Sequence, residues 1–135
     1  NINSKRLLSH ESNNRDEILN KHIHSKKPTV LISPSMEEGV DLKDDKSRFQ
    51  VICKIPYPYL GDKLIVERMN KWKWWYSYET IKKIVQSIGR SVRSETDFAK
   101  TYILDKCWER FYYQNKSTFP KNFDKHFLTN KKKTN

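Results

Sequence analysis

The apolar positions along this chain come in short runs separated by long polar stretches. Thr29-Val30-Leu31-Ile32 is a β-branched apolar run and predicts a buried strand. Phe49-Gln50-Val51-Ile52-Cys53-Lys54-Ile55 predicts a second strand, stopped by Pro56 and Pro58. Lys100-Thr101-Tyr102-Ile103-Leu104-Asp105 predicts a third, ending in an acid. Before that third strand, residues 79–93 carry a helical period: at about 100° per residue, Ile81, Ile84, Val85, Ile88 and Val92 share one side. Residues 1–28 are polar apart from Leu7-Leu8. A short helix is expected from Glu17 to His24, with Ile18, Leu19, His22 and Ile23 on one side, broken by Pro28. Strand, loop, strand, helix, strand is the order of an α/β unit with a mostly parallel sheet. In such sheets ligands bind beyond the carboxyl ends of the strands, and the loop from Ser33 to Asp41 leaves one such end directly.

The polar side of the 79–93 helix is as informative as its apolar side. Gln86, Gly89, Arg90 and Arg93 fall within an arc of roughly 100° opposite the apolar stripe. Two arginines at i and i+3 can converge on one anion, and a guanidinium supplies the fixed, paired donors that suit phosphate. Solvated arginines on an exposed amphipathic helix are the competing reading. A glycine inside a helix costs about 1 kcal/mol relative to alanine, so Gly89 wants a reason, such as space beside the arginines. In the 33–42 loop, Glu37, Glu38 and Asp41 surround Gly39. These carboxylates could orient a water, bind Mg²⁺, hydrogen-bond a ribose hydroxyl or pair with the helix arginines. Equally, the loop could be merely polar, with Asp41 capping a turn. The hydroxyls of Ser33 and Ser35 could contact a nucleic-acid phosphate, although such hydroxyls more often satisfy nearby backbone groups.

Composition narrows the class. At 135 residues the chain has room for one domain. Its hydrophobic fraction is 36% and its mean hydropathy −0.92, low for an independent globular domain. Its 13% of aromatic residues is too many for a disordered one. No run of about 18 apolar residues exists that could form a transmembrane helix. The chain begins at Asn1 rather than Met, with no signal-peptide pattern, and the expectation is that it starts inside something larger. The net charge of +11 is unevenly spread. Residues 29–61 are slightly acidic, whereas residues 106–135 are strongly basic and end in Lys131-Lys132-Lys133. A basic balance favours a polyanion partner such as nucleic acid, and a solvated tail is the plainer alternative for 125–135.

The remaining chemistry-bearing residues form no catalytic constellation. Cys53 and Cys107 sit in no C-x-x-C pair and read as buried or inert thiols; two cysteines exclude a disulfide scaffold or a four-thiolate metal site within the chain. His22 and His24 point apart on a helix and have no third ligand nearby, so no metal site is expected. Trp72, Trp74, Trp75, Tyr76 and Tyr78 lie among Lys63, Arg68, Lys71 and Lys73. They could stack on single-stranded bases, but packing is expected for at least half of them.

Two segments together resemble a known family. Ser35-Met36-Glu37-Glu38-Gly39-Val40-Asp41-Leu42 resembles motif V, and Gln86-Ser87-Ile88-Gly89-Arg90-Ser91-Val92-Arg93 resembles motif VI (Q-x-x-G-R-x-x-R), of the XPD/DinG-type superfamily 2 DNA helicases. Their order and spacing, Lys54-Ile55-Pro56-Tyr57 between them, and Thr96-Asp97-Phe98 followed by Tyr102-Ile103-Leu104-Asp105 strengthen the match, which covers residues 29–124 and includes Phe119-Pro120. The resemblance implies the second RecA-like domain of a P-loop NTPase-type motor, partial here, with a mostly parallel sheet and flanking helices. Residues 1–28 would then belong to the fold of the preceding helicase domain, and 125–135 would form a basic tail. By the same resemblance, Arg90 and Arg93 match the arginine fingers that reach the γ-phosphate of ATP. Gln86 and Gly89, with Glu38, Gly39 and Asp41, match positions at the nucleotide and domain interface, and Ser35 matches a contact to the DNA backbone. ATP and Mg²⁺ would be held mainly by a first RecA-like domain, because this chain has no G-x-x-x-x-G-K-[ST] loop and no Asp-Glu-x-His box. The iron–sulfur cysteine quartet of many relatives is also absent, and Asp105-Lys106-Cys107 lacks the arginine that often follows at the third position. The implied protein is intracellular and acts on DNA, single-stranded by preference. The chain alone would be nearly inactive. The alternative is a non-catalytic nucleic-acid-binding module derived from a helicase.

Overall fold

The β-branched runs do form strands, but the strands are short and fall into two separate parallel pairs. The structure, a computed structural model, describes residues 3–34, 42, 44–91, 98–121 and 123. In chain order its elements are β1 (Leu7–Ser9), α1 (Arg15–Ile23), β2 (Val30–Ile32), β3 (Phe49–Ile52), α2 (Lys63–Lys71), α3 (Trp75–Gly89), β4 (Lys100–Ile103) and α4 (Trp108–Asn115). β1 pairs with β2 in parallel, Leu7 opposite Val30 and Ser9 opposite Ile32. β3 pairs with β4 in parallel, Phe49 opposite Lys100 and Ile52 opposite Ile103. Parallel neighbours need a crossover, which α1 supplies in the first pair and α2 with α3 in the second. The expected α/β class, with parallel strands and flanking helices, is therefore present, as two short two-stranded sheets in place of one.

Several expectations need correcting. Leu7-Leu8, read as an apolar pair in a polar segment, is most of strand β1, and Leu8 is buried. Thus residues within 1–28 supply the strand that pairs with β2. β3 stops at Ile52, three residues short of the expected end. Its partner β4 stops at Ile103, and past that point Asp105 rather than a strand partner takes the Ile55 amide. α3 begins at Trp75 and ends at Gly89, so Arg90 lies just past the helix instead of within it. Cys53 and Cys107 are exposed, not buried.

The core lies between α3 and the aromatic residues of α4 and the turn after it. Ile81 and Ile84 on the expected face of α3 are buried, with Val85 and Ile88 beside them. They meet Ile55, Phe111, Tyr112 and Phe119. The helix thus buries its stripe mainly against an aromatic cap, with Ile55 as the contact from the end of β3. Phe111 stands edge-on to Tyr57 and Phe119, with ring centroids 5.6 and 6.4 Å away. Edge-to-face packing brings the positive rim of one ring to the negative face of the next. Among the five aromatic residues at 72–78, only Trp75 and Tyr76 are half-buried. Tyr76 stacks on Tyr57 and donates its hydroxyl to the Pro58 carbonyl. Trp72, Trp74 and Tyr78 are exposed, so fewer than half of this set pack inside.

Two polar anchors tie the pieces together. In α1, His22 approaches the Thr29 hydroxyl through Nδ1 (2.7 Å) and the Lys46 carbonyl through Nε2 (3.1 Å). A carbonyl only accepts, so Nε2 carries a proton and donates to it. His22 is thus a structural link between the first strand pair and the segment leading into β3. At the other end, the Asp105 carboxylate accepts from the Cys107 amide (2.9 Å) and the Ile55 amide (3.0 Å). These two backbone donors, the Cys107 bond first, hold its pKa below the ordinary aspartate value, helped by the charge of Lys54 and opposed by desolvation. A lowered folded-state pKa means that the carboxylate stabilises the fold above its unfolded pKa. That contribution is lost as pH falls through the folded value. We therefore expect Asp105→Asn to lower the denaturant midpoint at neutral pH. The gap from the unaltered protein should close as the pH drops below about 3.9, the unfolded aspartate value. A gap of constant size from neutral to acid pH would show that the carboxylate charge contributes nothing.

Candidate functional site

The backbone around Arg90 is fixed from three directions. α3 closes with the Arg90 amide donating to the Ser87 carbonyl (3.2 Å) and the Ser91 amide to the Ile88 carbonyl (3.4 Å). These tightened bonds use carbonyls that a helix end would otherwise leave unpaired. The Arg90 carbonyl accepts from the amide of Leu42, a long bond of 3.4 Å. Leu42 is the last residue of the carboxylate loop, so the two segments singled out in the sequence meet at this point. Arg90 itself is half-exposed and adopts φ −72° and ψ −24°.

The side chain of Ser91 provides the third tether. Ser91 is 1% exposed and Ser47 8% exposed, and their hydroxyls lie 2.6 Å apart. Ser91 also donates to Gln50 Oε1 on β3 (3.1 Å), and Gln50 Nε2 donates to Thr101 Oγ1 on β4 (2.9 Å). The residue next to Arg90 is thereby joined to both strands of the second pair. Nothing in the sequence pattern singled out Ser47, Gln50, Ser91 or Thr101. The only local signal is the position of Ser91 beside Arg90, because 44 residues separate the two serines.

Gln86 and Gly89 stand on the last two turns of α3. A Cβ at Gly89 would meet nothing within 4 Å, so no packing inside the described chain demands glycine there. Gln86 is exposed and lines a shallow groove of about 260 Å³ with Tyr78, Lys82, Thr118 and Pro120. Tyr78, Lys82 and Gln86 follow one another at intervals of four along α3, and Arg90, the residue that caps it, comes four further on. Ser33, at the start of the loop, bonds His10 Nε2 at 2.6 Å. Its hydroxyl therefore serves the fold. Ser35, Glu38, Gly39, Asp41 and Arg93 lie outside the described residues. Among the described residues no group of three or more His, Cys, Asp or Glu is placed to hold a metal ion, and no helix is long and apolar enough to cross a membrane.

Comparison with known proteins identifies the family. The family model for the helicase C-terminal domain matches residues 1–126. The ATP-dependent DNA helicase CHL1 of Saccharomyces cerevisiae is 24% identical over an alignment of 139 positions, covering 85% of this chain and 16% of that protein. The regulator of telomere elongation helicase 1 homolog of Caenorhabditis elegans is 29% identical over 103 residues, covering 64% of this chain and 10% of that protein. The ATP-dependent DNA helicase DDX11 of Mus musculus is 28% identical over 99 residues, 59% of this chain and 10% of that protein. The chain thus spans about a sixth or less of the length of these curated relatives. With the family model matched from residue 1 to residue 126 and DNA helicases of the XPD type as its relatives, the chain belongs to the helicase C-terminal domain family of superfamily 2.

Proposed function

We propose that this chain is the second RecA-like half of an ATP-dependent DNA helicase, working with a first domain that carries the phosphate loop. The observation that carries this reading is the hydrogen bond from Leu42 to Arg90, which joins the end of the carboxylate loop to the arginine turn. ATP would lie between the two domains, bound chiefly by the first, and its hydrolysis would supply the free energy for movement along DNA. Arg90 and Arg93 would approach the γ-phosphate and stabilise negative charge that grows in the transition state. Gln86 and Gly89, on the last turns of α3, would face the partner domain, and the open space at Gly89 leaves room for its approach. Glu38, Gly39 and Asp41 would link that interface to the DNA, with Ser35 at the DNA backbone. Mg²⁺ would be coordinated by the partner domain and the nucleotide. Trp72, Trp74 and Tyr78 are exposed in a segment rich in Lys and Arg, which suits stacking and phosphate contact with single-stranded DNA.

A two-domain protein combining this chain with its phosphate-loop domain is expected to hydrolyse ATP, faster when single-stranded DNA is added. This chain alone is expected to show no turnover above background. The rate of phosphate release, with and without DNA, measures both. DNA binding by the two-domain protein without any ATP turnover would overturn the motor reading in favour of a non-catalytic nucleic-acid-binding module.

A further inference from the structure

The hydroxyls behind Arg90 have a direction. A serine hydroxyl has one proton to give. Ser91 gives its proton to Gln50 Oε1, so the 2.6 Å contact with Ser47 requires Ser47 to donate and Ser91 to accept. The amide of Gln50 then donates to Thr101. The chain runs one way, from Ser47 through Ser91 and Gln50 to Thr101, and each link leaves the next with the right group exposed. Its first two members, Ser47 and Ser91, are both buried. Buried hydroxyls that find partners hold their neighbours in one arrangement, because turning any of them strands the others. Here the neighbour is the arginine turn.

We propose that this hydroxyl chain positions Arg90 for ATP hydrolysis, with Ser91 as its central positioning residue. The inference rests on the motor reading given above. Ser91 touches no nucleotide in it. Its hydroxyl pins the backbone immediately after Arg90 to β3 and, through Gln50, to β4, while Leu42 pins the Arg90 carbonyl. A long side chain rooted on a fixed backbone loses less freedom when it docks, and a misplacement of about 1 Å at a charge-stabilising group can cost about 100-fold in rate.

The test compares Ser91→Ala, Gln50→Leu and Arg90→Ala in the two-domain motor, reading kcat, KM for ATP and the thermal midpoint of each. Ser91→Ala and Gln50→Leu both break the Ser91–Gln50 link from opposite sides and change little volume, so one stays informative if the other folds poorly. The expected result is a fall in kcat of about 10- to 100-fold for each, with KM for ATP within about twofold because the nucleotide is held chiefly elsewhere. The double variant should lose little more than the worse single, since both act through one turn. Unchanged kcat in both, while Arg90→Ala abolishes turnover, would overturn the positioning role and leave the motor reading intact. Activity that falls only as far as the folded fraction falls would also overturn it, leaving a purely structural network. Near-normal turnover in Arg90→Ala would overturn the motor reading, and the positioning role with it.

Discussion

Arg90→Ala in the two-domain motor is expected to reduce ATP turnover by about 10³-fold or more while leaving ATP binding largely in place. The size follows from what an arginine does at a transferring phosphoryl group. Charge spreads onto the equatorial oxygens as the bond to the leaving group lengthens, and a guanidinium with two parallel donors stabilises that state more than the ground state. Alanine removes the donors without touching the phosphate loop, so kcat falls and affinity does not. Arg90→Lys is a more discriminating change. It keeps the charge but gives up the planar, paired donors, and should recover only a small part of the lost rate. Nucleotide binding by fluorescence and turnover by phosphate release separate the two quantities. A variant that loses ATP binding and turnover in equal measure would mean that Arg90 holds the ground state and is no finger.

Phe111→Ala is expected to be the most damaging single change to stability. Phe111 is buried at the centre of the aromatic cap, touching Tyr57, Trp108 and Phe119 and facing the buried stripe of α3. Truncating a buried phenylalanine costs about 3–5 kcal/mol, partly in lost transfer energy and partly in the cavity left behind. Domains of this size are stable by about 5–15 kcal/mol in total, so one side chain accounts for a large share. The thermal midpoint should drop by roughly 10–20 °C. Tyr113, next along α4 but 66% exposed, is the control. Tyr113→Ala should stay within about 0.5 kcal/mol of the unaltered protein. Equal losses at both positions would mean that the cap is not the core.

What was legible in the sequence was the part governed by local pattern. Val30–Ile32, Phe49–Ile52 and Lys100–Ile103 form strands where β-branched and aromatic residues cluster, and the 3.6 period in 81–88 placed the buried face of α3 correctly. Leu7–Ser9 shows no strand signal because three residues are too few to carry a period, and its strand character comes from pairing with β2. The end of α3 is hidden in the sequence because the arginines continue the helical spacing beyond it. Its last turn is closed instead by short-range bonds at Arg90 and Ser91. The split among the tryptophans was also hidden. Trp75 and Trp74 are adjacent in an amphipathic region, and only the packing of α2 against α3 decides which is half-buried. The hydroxyl chain was the least visible of all. It joins four residues from three stretches of chain, and each is an ordinary polar residue until the fold assembles them.

The two parallel strand pairs differ in how much chain lies between partners, and this sets the entropy cost of closing each. Leu7 meets Val30 across one short helix, whereas Phe49 meets Lys100 across two helices and a loop roughly twice as long. Each doubling of a closed loop costs about 0.6 kcal/mol in chain entropy, a cost met before any contact repays it. The amino-terminal pair therefore closes at the lower entropy cost. The carboxyl-terminal pair carries the larger one, and the arginine turn lies inside its longer loop. Whatever holds β3 against β4 therefore also closes the stretch of chain that presents Arg90.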